Sequence, residues 1–162
     1  MKQPVNENFI IRVKSTIKSF ETSKADVEEE AQHIEFMTRG QLVKKGENFY
    51  LTYRETETIG HPGSSVTIKI AADASRAALL RFGRANSQMI IEAARRNQCY
   101  YETEFGSLVI GVTGDGIECA LTEEGGTASI NYYLDVSESA LMSRNSLEIT
   151  VTPVKERKTT HD

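Results

Sequence analysis

An all-β domain closed into an antiparallel up-and-down barrel of about ten strands is expected from this sequence on three grounds. First, Ile and Val number 23 against 9 Leu, and 15 Thr bring the β-branched total to 38. Such side chains are already restricted at χ1 and suit a pleated surface better than a helix. Second, apolar residues recur at every second position, the pattern of a sheet with one face on a core and the other in water. Third, turn residues separate these runs at short intervals, which makes successive strands antiparallel neighbours. A sheet with so many strands and one apolar face curls until it closes, because closure buries that face and removes unpaired edges. A barrel is therefore preferred to a two-sheet sandwich.

The elements follow in order. Phe9, Ile11, Val13 and Ile17 form the apolar face of a strand near 8–19. Segments near 33–44 and 48–56 are separated by Lys45-Gly46-Glu47-Asn48, a turn sequence. Val66, Ile68 and Ile70 define 65–71, and further strands are expected at 76–83, 87–93 and 98–104. Leu108, Ile110 and Val112 define 106–113, and Ile117, Cys119 and Leu121 define 116–122. Asp115-Gly116 between them can take the positive φ angles of a tight hairpin. After the turn Glu123-Glu124-Gly125-Gly126, the longest alternation runs through Ala128, Ile130, Tyr132, Leu134 and Val136, within 127–137. Leu147, Ile149 and Val151 close the set at 145–153.

Three segments lie outside this pattern. Residues 20–32, with the run Asp26-Val27-Glu28-Glu29-Glu30, read as a short acidic helix or a mobile connection. Ser137 to Ser143 has no amphipathic period and reads as an irregular loop. The polar stretch from Lys155 to Asp162 reads as a disordered tail. The expected organisation is one barrel domain over 1–154 and a tail over 155–162.

A chain of 162 residues with 39% hydrophobic and 26% charged residues falls among globular proteins. No apolar run approaches the ~18 residues of a membrane helix, and the start Met1-Lys2-Gln3-Pro4-Val5 lacks the apolar stretch of a signal peptide. A soluble cytoplasmic protein with no membrane partner is expected. The formal net charge of −4 argues against nucleic acid as a partner. Within that balance, Arg76, Arg81, Arg84, Arg95 and Arg96 face one acid, Glu92, over 76–96. Such a window suits an anionic partner, but it reads first as a solvated surface balancing the acidic segment.

The sequence carries no recognisable catalytic pattern. His33, His61 and His161 have no metal-ligand spacing, so no metal is expected. No Gly-x-Ser-x-Gly elbow occurs, and neither Cys99 nor Cys119 sits beside a histidine. Cys119, between Ile117 and Leu121 in alternation, reads as a buried, unreactive thiol. Gly111-Val112-Thr113-Gly114-Asp115-Gly116 lacks the Lys-Ser/Thr of a phosphate loop and reads as a hairpin turn. Gly60-His61-Pro62-Gly63-Ser64-Ser65 reads as a loop at a barrel mouth. No cofactor is expected, and the protein reads as a non-enzyme.

Alternation singles out one cluster. If Phe49, Leu51 and Tyr53 face inward, Glu55 follows; if Ala77 and Leu79 face inward, so does Arg81. Two opposite charges entering an apolar space have to pair. The opposite register, with Leu80 and Phe82 inward and Arg81 out, remains open. Tyr53, Glu55 and Arg81 are the candidate ligand-binding residues.

The same segments carry a resemblance. Tyr53-Arg54-Glu55-Thr56-Glu57-Thr58-Ile59-Gly60, Leu80-Arg81-Phe82-Gly83 and Tyr101-Glu102-Thr103-Glu104-Phe105-Gly106 resemble three signatures of the YwiB-like proteins: Tyr-x-Glu-x-x-x-x-Gly, Arg-x-Gly and Tyr-x-Thr-x-Phe/Tyr-Gly. The similarity extends over most of the chain. Glu104 departs from it, since the family often has proline there. The resemblance implies a lipocalin-like (calycin) β-barrel and no particular activity.

Two functions follow as expectations: binding of a small ligand in the barrel interior, or a structural or regulatory module with a protein partner. A cavity of ~300 Å³ or more with convergent polar groups favours the first, and a filled interior favours the second.

Overall fold

The computed structural model describes residues 7–19, 31–56, 62–83, 86–103, 106–137 and 140–155, and among them it has ten strands and no helix. The strands are β1 (Phe9–Ser19), β2 (Ala31–Lys45), β3 (Asn48–Arg54), β4 (Ser65–Ala71), β5 (Arg76–Phe82), β6 (Ser87–Glu92), β7 (Arg96–Thr103), β8 (Gly106–Thr122), β9 (Gly125–Ser137) and β10 (Ala140–Pro153). Each pairs antiparallel with its sequence neighbour, and β10 returns to β1, so the sheet closes as an up-and-down barrel. Of the expected acidic segment 20–32, residues 20–30 lie outside the described residues, and Ala31 and Gln32 belong to β2. The tail from 156 onward is likewise outside them.

Two expectations are corrected. Asp115-Gly116 is not a hairpin, because β8 runs without a break from Gly106 to Thr122. The register against β9 shifts between Gly114↔Tyr132 and Ile117↔Ile130, so two residues of β8 face one of β9 in a bulge. Gly116 takes φ +119° there, and its carbonyl accepts from Asn131 Nδ2 at 3.3 Å. The positive φ angle inferred from the glycine is present, but the chain bends at this point and does not reverse. In the segment 137–143, β9 ends at Ser137 and β10 begins at Ala140, so its second half is strand; irregular register between Ala140 and Ser143 masks the alternation.

The wall is thinnest between β6 and β7, where the ladder comprises Ser87↔Tyr101 and the bridge Glu92↔Arg95 closes the turn. Side chains reinforce the seam. Cys99 Sγ donates to the Gln88 carbonyl at 2.9 Å, and Asn97 Nδ2 donates to the Ile90 carbonyl at 3.3 Å.

The barrel interior has two halves. The β2–β3, β4–β5, β6–β7 and β8–β9 turns lie at one end, and towards that end the interior is solid. Ile11, Leu51, Ile70, Ile91, Val112 and Ile130 are each 0% exposed there. Burying side chains of this size contributes roughly 1.5–3 kcal/mol apiece. Towards the other end the inward-facing side chains do not meet, and a cavity opens.

Candidate functional site

The open half encloses a cavity of about 500 Å³. Its deep walls are apolar, formed by Val13, Ile68, Leu79, Met89 and Ile110. Polar groups come in nearer the mouth: Tyr53, Glu55, Arg81 and Ser87 on one side, Ser15 and Asn145 on the other.

Glu55 sits one step past the end of β3, continuing the inward alternation of Phe49, Leu51 and Tyr53. Its backbone N–H donates to the Ser64 carbonyl at 2.8 Å, which holds the chain inward after the strand ends. Arg81 lies on β5 opposite Val66, just as Leu79 lies opposite Ile68 and Ala77 opposite Ile70. Those partners belong to the core, so the register left open by the sequence is the one with Arg81 inside. Arg81 Nε donates to Glu55 Oε1 at 2.6 Å, and Nη2 donates to Oε2 at 3.4 Å. The Glu55 side chain is 2% exposed and that of Arg81 25%. At such depth the carboxylate would be costly without the guanidinium.

Tyr53 is buried, with its ring 5.6 Å from that of Phe36. Burial, and then the neighbouring Glu55 charge, push its phenol up to about 12 against a weaker opposing pull from Arg81. It therefore stays a neutral hydrogen-bonding group at physiological pH. All three sequence-derived candidates line one cavity.

Residues 17–149 match the domain of unknown function DUF1934, a span that includes Tyr53, Glu55 and Arg81. The chain belongs to the DUF1934 family. The barrel is also similar to the crystal structure of the ywiB protein from Bacillus subtilis, with a TM-score of 0.72 over 93% of this chain and 96% of that one. At 22% identity this likeness speaks for the fold, in agreement with the YwiB-like motifs. No curated protein matches the chain.

The DUF1934 cavity also contains polar residues that the motifs do not mark. Asn145 is buried and lines it, and its Nδ2 donates to Ser143 Oγ at 2.9 Å. Stepping the alternation of Val151, Ile149 and Leu147 back by twos reaches both residues, so the signal was present in an unremarkable Ser-rich stretch.

The arginine window is partly absorbed by acids. On the outer wall, Arg96 Nη2 donates to Asp135 Oδ1 at 2.7 Å and Nε to Oδ2 at 3.0 Å. The pair lies over Gly111, where any Cβ would overlap both side chains. Arg95 meets Glu92 at 3.7 Å, and Arg76 is exposed. Two of these arginines, Arg81 and Arg96, thus serve partly buried ion pairs and not a common solvated face.

The cysteines are corrected. Cys119 is half-buried, where its apolar neighbours Ile117 and Leu121 imply full burial, and Cys99, for which the sequence implied neither state, is the buried thiol. The β7 ladder with β8 ends at Arg96↔Thr113, so Cys119 lies on a part of β8 beyond that support. Burial pushes the Cys99 thiol up, against a smaller lowering by its bond to the Gln88 carbonyl. Among the described residues, no three His, Cys, Asp or Glu side chains are grouped to hold a metal ion. Residues 57–61, which include Gly60 and His61 of the expected mouth loop Gly60–Ser65, lie outside the described residues.

Proposed function

We propose that this DUF1934 protein is a non-enzymatic, cytoplasmic binding protein that uses its barrel in lipocalin-like fashion, holding one small amphipathic ligand in the open half. The observation that carries the reading is the cavity itself. At about 500 Å³ it falls within the ~300–1,000 Å³ of small-molecule sites, with apolar walls and a few convergent polar groups. Tyr53, Glu55 and Arg81 would receive the polar part of the ligand. Exposed apolar side chains at the mouth support the reading: Ile34 and Leu108 are 50% exposed and Met142 38%. Apolar groups kept in water at a cavity entrance are offset when a ligand covers them.

A second reading, a module for a protein partner, draws on the outer wall. Tyr100 and Val109 face each other across β7 and β8 and are 67% and 46% exposed. Native mass spectrometry of protein purified from its own host separates the two. One small molecule retained per chain is the expected result. A retained protein subunit in its place would favour the module, and bare chain in every preparation would count against the ligand.

A further inference from the structure

Resting on that reading of the cavity, we infer that its ligand is electrically neutral and enters apolar end first, leaving a hydroxyl, amide or ester head level with Glu55 and Arg81. The charges of the cavity lining favour a neutral ligand. Among the described residues that line the cavity, the charged ones are Glu55 and Arg81, and they sum to zero. Each is already held by the other at 2.6 Å. A ligand carboxylate reaching Arg81 would lie against Glu55, a like charge 2% exposed, and would have given up its own hydration. A ligand ammonium meets the mirror-image problem at Arg81. A neutral head loses far less on leaving water and can exchange hydrogen bonds with groups such as Ser87 and Asn145.

The strand register favours one direction of entry. In the strand register, Ile68, Leu79 and Met89 lie one inward step deeper than Val66, Arg81 and Ser87. The apolar wall therefore leads down to the solid core, and the polar band lies on the mouth side. An amphipath fits with its apolar part below that band.

The test uses decanol, decanamide, decanoate and decylammonium to displace N-phenylnaphthylamine, a neutral fluorophore, from the wild-type protein at neutral pH. Decanol and decanamide are expected to displace it at concentrations at least about tenfold below either ion. Glu55→Gln leaves the Arg81 charge unbalanced and should move the preference about tenfold towards decanoate. Arg81→Gln should move it similarly towards decylammonium. Decanoate or decylammonium binding as tightly as decanol to the wild type would overturn the inference while leaving the ligand site standing, whether or not the variants fold. Failure of the fluorophore to enter at all would remove the ligand site, and the inference with it.

Discussion

Glu55 and Arg81 close to 2.6 Å although β4 lies between the strands that deliver them. They reach each other across its inner face, where Glu55 is held by the Ser64 carbonyl and Arg81 lies opposite Val66. The pair ties the end of β3 to β5 and sets the polar level of the cavity.

Loss of one partner should therefore cost more than loss of both. Arg81→Met should destabilise the fold by about 3 kcal/mol, the low end for a buried pair because the guanidinium is 25% exposed. Glu55→Leu combined with Arg81→Met should recover most of that loss. Urea denaturation of the two proteins checks it, and equal losses would mean the pair carries little coupling.

Tyr53 predicts a stability change at high pH. Its folded pKa of about 12 lies above the unfolded 10.0, so the unfolded state releases its proton first as pH rises. The stabilisation is whole below about pH 10 and falls away between about 10 and 12. Denaturant midpoints should fall in that window for the wild type, and less steeply for Tyr53→Phe. Identical profiles would place Tyr53 in water.

The thiols should react in two classes. Cys119 is half-buried, and Cys99 is buried with its thiol pushed up. Ellman's reagent should titrate one thiol rapidly in the native protein and the second on unfolding, and Cys119→Ser should abolish the fast phase. A fast phase that survives this change would put the reactive thiol at Cys99.

Two halves of one barrel should respond differently to truncation. Ile130 and Ile149, 0% and 1% exposed, lie in the filled half, and changing either to Ala should cost about 4 kcal/mol. Ile68 and Ile110 border open space, so the same change there should cost nearer 2 kcal/mol. Thermal or chemical denaturation of the four variants gives the comparison, and uniform losses would argue that the open half is packed.

Much of this was legible because a strand's period of two carries side-chain direction. Tyr53 and Glu55 follow from Phe49 and Leu51, and Arg81 from Ala77 and Leu79, once a face is chosen. Other features depend on partners that a single strand does not contain. Gly116 signals a positive φ, but whether the chain reverses or bulges depends on how β9 continues past Tyr132 to Ile130. Cys119 shares its face with buried Ile117 and Leu121, and its exposure follows from where β7 ends. Asn145 is on the interior face, but no apolar neighbour at 143 marks that face.

Methyl NMR of the protein titrated with N-phenylnaphthylamine reports whether the mouth half of the barrel is a ligand cavity above a solid core. Shifts are expected at the methyl groups of Ile68, Leu79, Met89 and Ile110, with quiet signals from Leu51, Ile70 and Ile91 in the filled half. Shifts confined to the outer wall around Val109, or none at any excess of the fluorophore, would contradict a ligand cavity there.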